Sequence, residues 1–314
     1  MAFQKPVEKN SGKIREVELG TGDSKIVVGG ENVLPFYTFD GDMPNKPVVA
    51  MQVLDMDPKE EWVDACYAPI AAVAADSVAW AKLAVEKGAD LVCLKLVNIH
   101  PDRANTSPED AAALAKKVAD AINVPLIVEG CGHNDKDAAV LPKVAEALEG
   151  KAFLILAANE HTYKAVGAAA GLAYGNVVGA ESAVDINLAK QLNILLTQLG
   201  VKEEKIIMHP GVAAVGYGFE YVYSAMERIR SAAVQQNDKT LQMPFVVPFA
   251  DDSWRTKEAS APADEMPAWG DVEPRGVMME VAGAVSLLMA GANIVIVRHP
   301  KTVEVVKKTV AELA

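Results

Sequence analysis

The sequence predicts an α/β fold, a TIM (β/α)8 barrel with an N-terminal β-hairpin extension. Three observations carry this. Eight strand-length apolar runs alternate with eight helix-length stretches along residues 47–314. The runs are continuously apolar, the pattern of parallel strands covered on both faces. No Rossmann glycine fingerprint opens the first unit, which favours a closed barrel over an open doubly wound sheet. The division that follows is an extension over 1–46 and a barrel over 47–314.

Taken in order, KIREVELG (13–20) and SKIVVGG (24–30) flank the turn TGD and read as a hairpin. It could plug the N-terminal end of the barrel or simply cover apolar surface, and the sequence favours the second. PVVAMQVL (47–54) is the first barrel strand, followed by a helix over Val73–Lys87 that stops at Gly88. LVCLKLV (91–97) comes next. Thr106, Ser107 and Pro108, with acids behind them, then open a helix running to Ile122. PLIVEG (125–130) precedes a helix over Asp135–Leu148, with Asp135 expected as its cap. FLILAA (153–158) precedes His161–Tyr174, NVVGAE (176–181) precedes Asp185–Leu199, and KIIMHPG (205–211) precedes Phe219–Gln235. MPFVVPF (243–249) leads into a long polar loop over Ala250–Arg275 and a helix over Gly276–Ala290. NIVIVRHP (293–300) and a helix over Thr302–Leu313 complete the barrel.

Composition narrows the function. The chain has 314 residues, 51% of them hydrophobic, and a net charge of −12 from 30 Lys+Arg against 42 Asp+Glu. Such acidity argues against nonspecific nucleic-acid binding, which needs a basic surface. Three cysteines suit a reducing compartment. The start lacks an apolar leader, and no run is long enough for a membrane span, so a soluble, cytoplasmic protein is expected.

In a TIM barrel the working residues sit at the C-terminal strand ends. That selects Asp55, Asp57, Lys95, Asn98, Glu129 to His133, Asn159, Glu160, Glu181, Ser182, His209, Asp251 to Arg255, Arg298 and His299. Metal ligation is not expected. His100, His133, His161, His209 and His299 show no HxH or HExxH spacing, and Cys66, Cys93 and Cys131 are far apart. No G-x-S-x-G elbow marks a nucleophile. The loop HPGVAAVGYG (209–218) has P-loop glycine spacing, but Tyr217 stands where the phosphate-binding lysine belongs. It reads as a loop whose backbone can approach a large ligand. In the long loop, Trp254 and Trp269 are natural anchors for a partner.

Several stretches carry a more specific signal: IVVGGENVLPFYTFDG (26–41), DINLAKQLNIL (185–195), GYGFEYVYSAMERIR (216–230), SWRTKEASAPADEMPAWG (253–270) and IVRHP (296–300). In these the chain resembles the small subunit of the corrinoid iron–sulfur protein of the acetyl-CoA synthase/CO dehydrogenase pathway, the decarbonylase/synthase delta subunit family. The resemblance implies a barrel paired with a large subunit that carries the iron–sulfur cluster, and a cobalamin-type corrinoid held between the two. It implies methyl transfer from methyltetrahydrofolate, through a methyltransferase, to acetyl-CoA synthase. The cobalt carries the chemistry, and the protein positions and shields it.

Corrinoid contacts are expected from Asn159, Glu160, Asp185, His209, Gly211, Gly216, Tyr217, Gly218, Tyr221 and Arg298, and partner contacts from Trp254, Arg255 and Trp269. Asp185 has a competing role as a helix cap. No catalytic residue and no cluster are expected in this chain. The alternative is an autonomous TIM-barrel methyltransferase using methyltetrahydrofolate.

Overall fold

The computed structural model describes residues 6–314. Strands β1 (Val17–Leu19) and β2 (Ile26–Val28) pair antiparallel, Val17 opposite Val28 and Leu19 opposite Ile26. Eight parallel strands follow: β3 (Val48–Leu54), β4 (Leu91–Lys95), β5 (Leu126–Glu129), β6 (Leu154–Ala158), β7 (Val177–Glu181), β8 (Ile206–His209), β9 (Val246–Pro248) and β10 (Ile294–Val297). From β3 to β8 each strand pairs with its sequence neighbour, β9 pairs with β10, and β10 pairs back onto β3. Between β8 and β9 the barrel closes through one bridge, Met208 to Phe245, with Met208 N–H donating to the Pro244 carbonyl at 2.8 Å.

Alternate residues of each strand enter two separate cores, which is why the runs read as continuously apolar. Val92, Leu94, Val128, Ile155, Val178, Ile206 and Val295 face outward onto the helices. Leu91, Cys93, Ile127, Leu154, Val177, Ile207, Val246 and Ile294 fill the interior. That interior core also contains Val17, Leu19 and Val28 of the hairpin, each at most 1% exposed. The hairpin is therefore a plug. It closes the N-terminal end of the barrel, where most of its interior partners begin their strands, and leaves the C-terminal end as the mouth. Burying three such side chains contributes about 1.5–3 kcal/mol each.

The helices are α1 (Asp64–Tyr67), α2 (Ser77–Glu86), α3 (Pro108–Ala121), α4 (Asn134–Ala147), α5 (Tyr163–Gly167), α6 (Ile186–Leu199), α7 (Phe219–Val234), α8 (Ala250–Trp254), α9 (Lys257–Ser260), α10 (Val272–Met289) and α11 (Pro300–Leu313). Among the described residues no helix is long and apolar enough to cross a membrane.

Local differences from expectation have local causes. The α2 helix starts at Ser77, later than Val73, because the Asp76 carboxylate accepts the Val78 and Ala79 N–H groups. Asp135 does not cap α4; it lies in the first turn, and His133 precedes the helix. The α5 helix widens into a π-helical stretch over 168–173, AAAGLA. There Gly171 presses so close to Val178 and Val201 that a Cβ would lie 2.9 and 2.6 Å from them. The long polar loop is mostly helical: it holds α8, α9, a 3-10 turn at Pro267–Trp269 and the first turn of α10. Thr256 caps α9 through the Ala259 N–H, a device too short for periodicity to reveal.

Candidate functional site: the barrel mouth

The floor of the mouth is a network of charges from four strand ends, joined by Gln52 from within β3. Lys95 Nζ donates at 2.6 Å to Glu129 Oε1 and at 2.6 Å to Asp251 Oδ2. The other Asp251 oxygen accepts from Arg298 Nη2, which, with Nε, also donates to Gln52 Oε1 at 2.9 and 3.0 Å. The Arg298 guanidinium lies over the Trp62 ring, 3.9 Å from its centroid. Burial opposes the charge on Asp251, but Arg298 and Lys95 overcome it and hold its carboxyl below the usual range. Burial likewise opposes the Lys95 ammonium, and Glu129 and Asp251 outweigh it and keep it charged.

Two supports aim this floor. Fully buried Glu280 of α10 accepts the Arg298 N–H at 2.6 Å and the His299 N–H at 3.2 Å, tying down the end of β10. Beyond β5, the Asp137 carboxylate accepts the Cys131 and Gly132 N–H groups, both at 2.9 Å. Gly130 is needed beneath it, since a Cβ there would lie 2.4 Å from Asp137 Oδ1. Asp55, after β3, accepts N–H groups from Val97 at 2.8 Å and Asn98 at 3.1 Å, yet burial prevails and pushes it up to about 6. Burial pushes the Cys66 and Cys131 thiols up to about 12 and about 11, so neither is a thiolate nucleophile near neutral pH.

Above the floor opens a cavity of about 360 Å³. Six carboxylates line it (Glu129, Asp137, Glu160, Glu181, Asp251 and Asp252) against Lys95 and Arg255, so its character is acidic.

The mouth brings together only part of the expected contact set. Asn159, Glu160 and His209 line the cavity. The Asn159 side chain closes its own turn, accepting from the His161 and Thr162 N–H groups and donating to Asn134. Glu160 is at the rim, 3.3 Å from His161 Nε2. His209 Nδ1 accepts the Gly211 N–H, which leaves Nε2 as the protonated nitrogen, 3.9 Å from Glu181 Oε1.

Asp185 caps α6 through the Asn187 and Leu188 N–H groups and does not line the cavity. Gly211 has φ +94° and packs on Val184. Gly216, Tyr217 and Gly218 lie beyond the cavity lining; Tyr217 is 55% exposed, with its hydroxyl on Glu258, and Tyr221 is 69% exposed. Arg298 belongs to the floor.

Of the expected partner contacts, Trp254 is corrected. It is 5% exposed, stacks on the His299 ring and packs against Gly276, so it is core. Arg255 is exposed at the lip, and Trp269 is 40% exposed with the Arg275 guanidinium over its ring.

Four site residues escaped the sequence reading: Gln52, Trp62, Asp137 and Glu280. Gln52 carries a signal, a polar residue in mid-strand two positions from interior Ala50. The others sit on a loop or on helices, where no periodicity marks them.

Residues 16–309 match the family described as CO dehydrogenase/acetyl-CoA synthase delta subunit. The acetyl-CoA decarbonylase/synthase complex subunit delta of Archaeoglobus fulgidus is 34% identical, over 98% of this chain and 70% of that protein. Subunit delta 1 from Methanosarcina thermophila is 35% identical, over 92% of this chain and 66% of that protein. The chain thus spans about two thirds of the length of these relatives.

Among solved structures, dihydropteroate synthase from Yersinia pestis superposes with a TM-score of 0.57 at 17% identity, over 85% of this chain and 93% of that one. The Xanthomonas albilineans dihydropteroate synthase gives 0.59 at 13%, over 95% and 98%. These two likenesses establish the TIM-barrel fold and nothing further.

Proposed function

Because this chain belongs to the CO dehydrogenase/acetyl-CoA synthase delta subunit family, we propose that it is the small subunit of a heterodimeric corrinoid iron–sulfur methyl carrier, whose barrel mouth holds one side of the corrinoid. In this reading the carrier receives a methyl group from methyltetrahydrofolate through a methyltransferase and delivers it to acetyl-CoA synthase in the cytoplasm. The large subunit holds the cluster.

The observation that carries the reading is the shape and chemistry of the mouth. The cavity, about 360 Å³, is at the small end of the range for ligand sites. A corrinoid macrocycle would lie across it, and its other face would need a second chain. The rim suits the amide groups on a corrinoid's edge. Glu160, Glu181 and Asp252 can accept from amide N–H groups, and His209 Nε2–H can donate to an amide carbonyl. The glycine-rich loop 209–218 offers small residues beside them. When bound, the corrinoid supplies the methyl-carrying cobalt. This chain's residues hold its edge and exclude water. The salt-bridged floor keeps the basin in one shape before binding.

The test is an absorption spectrum of the purified chain, then of the chain mixed with the large subunit and corrinoid. Corrinoid absorbance should co-elute only with the pair, and the chain alone should be nearly colourless. Methyl transfer from methyltetrahydrofolate to free cobalamin by the chain alone would replace this reading with the autonomous methyltransferase.

A further inference from the structure

Beside the acidic basin lies a second chamber of about 320 Å³. The two share a wall made of Lys95, Asp251 and Arg255. Their charges differ in sign. The second chamber is lined by four cations, Lys95, Arg103, Arg255 and Arg298, and by two acids, Glu61 and Asp251. In a chain of net charge −12, a local surplus of cations is not a by-product of composition.

The existing pairs leave part of that surplus unused. Arg103 is committed to Glu61 in a bidentate pair at 2.6 and 2.9 Å. Lys95 is divided between Glu129 and Asp251. Arg298 spends Nε and Nη2 on Gln52 and Asp251 and turns its remaining edge toward the Cys66 thiol. Asp55, which also feels Arg103, is turned to the Val97 and Asn98 N–H groups. Arg255 acts on Asp251, Asp252 and Glu61 only through space. It is exposed at the lip, a guanidinium with its hydrogen-bonding fork free. Trp62 and Val63 supply apolar lining to the same chamber.

We propose that this second chamber is an oxyanion subsite. It takes the carboxylate or phosphate group of a small organic anion, seated on the free fork of Arg255 with the Arg298 charge in the same lining and its body against Trp62 and Val63. Guanidinium forks suit planar or tetrahedral oxyanions because two parallel N–H groups match two oxygens. The proposal stands whether or not the acidic basin holds a corrinoid, and it leaves two sources open for the anion: a free small molecule, or a substituent of a larger ligand lying across the mouth.

The experiment titrates inorganic phosphate, and separately succinate, into the full chain by calorimetry at constant ionic strength in chloride. Saturable binding of one anion per chain is expected. Arg255→Ala should weaken it at least ten-fold, and Arg255→Glu should abolish it, with the melting temperature of the anion-free protein unchanged. Arg228→Ala, on the exposed outer face of α7, should leave the affinity as it is. Heats no larger than those of chloride, or equal affinity in Arg255→Ala, would overturn the subsite. Repeating the titration on the complex with corrinoid bound separates the sources. Competition assigns the anion to the larger ligand, and undiminished binding assigns it to a free molecule. Because the first titration uses the chain alone, its failure is distinct from failure of the corrinoid reading.

Discussion

At the scale of single residues, the mouth is tuned by burial against pairing, and two groups show opposite signs. Asp55 is raised to about 6 by burial. Between its unfolded value near 4 and about 6, the folded chain holds more protons than the unfolded one, so stability falls as pH rises through that window. Asp55→Asn keeps an acceptor for the Val97 N–H and removes the titration. Chemical denaturation at pH 4 and pH 7 should show the variant gaining about 2 kcal/mol on the wild type at the higher pH. Equal differences at both values would discount Asp55.

His299 works the other way. Burial depresses it to about 4, so the unfolded chain binds the extra proton and stability rises from about pH 4 to the unfolded value near 6.5. Neither shift was legible in the sequence. Asp55 was recognisable as a strand-end acid, but its burial depends on loops that the strand pattern does not place. Gln52 could have been found, because a lone amide inside an apolar strand needs a polar partner in the barrel.

At the scale of elements, the strands were legible because burial on both faces writes itself directly into composition. The extension was legible as a hairpin but not as a plug, since sequence alone cannot say which apolar surface a short hairpin covers. Its role makes a separable prediction. Leu19→Ala should cost about 2–5 kcal/mol in urea unfolding and leave corrinoid recruitment by the folded complex unchanged; a loss of recruitment without a loss of stability would contradict the plug.

The segment 250–275 was misread because its helices are of four or five residues, too short for a hydrophobic period. Its two tryptophans should now separate. Trp254→Ala should destabilise by about 3–5 kcal/mol. Trp269→Ala should leave the melting temperature alone and weaken assembly with the large subunit by ten-fold or more, measured by calorimetric titration. Unaltered assembly would remove Trp269 from the interface.

At the scale of the whole molecule, the barrel's order, its closure and its open end follow from eight parallel units and a stopper. The fold was therefore readable from the chain, whereas the site was only half readable. His209, Asn159 and Glu160 converge because strand ends must converge in a barrel. Asp185 and the 216–218 turn do not, because cap and turn geometry claimed them first.

The single Met208–Phe245 bridge has a mechanical meaning. The other strand neighbours share at least three residue pairs, so the β8–β9 junction is the seam of the wall. The two arms of the mouth hang on either side of it: loop 209–218 leaves β8, and α8–α9 leave β9. Parting the seam would separate those arms while the seven better-paired junctions of the hoop hold. Native-state hydrogen exchange should find the Met208 amide opening at least ten times more often than the Val92 amide across the barrel. Equal protection would mean that the wall yields nowhere in particular. With a seam, the wall has one defined line of weakness, like the split in a collar, on the side from which both arms of the mouth rise.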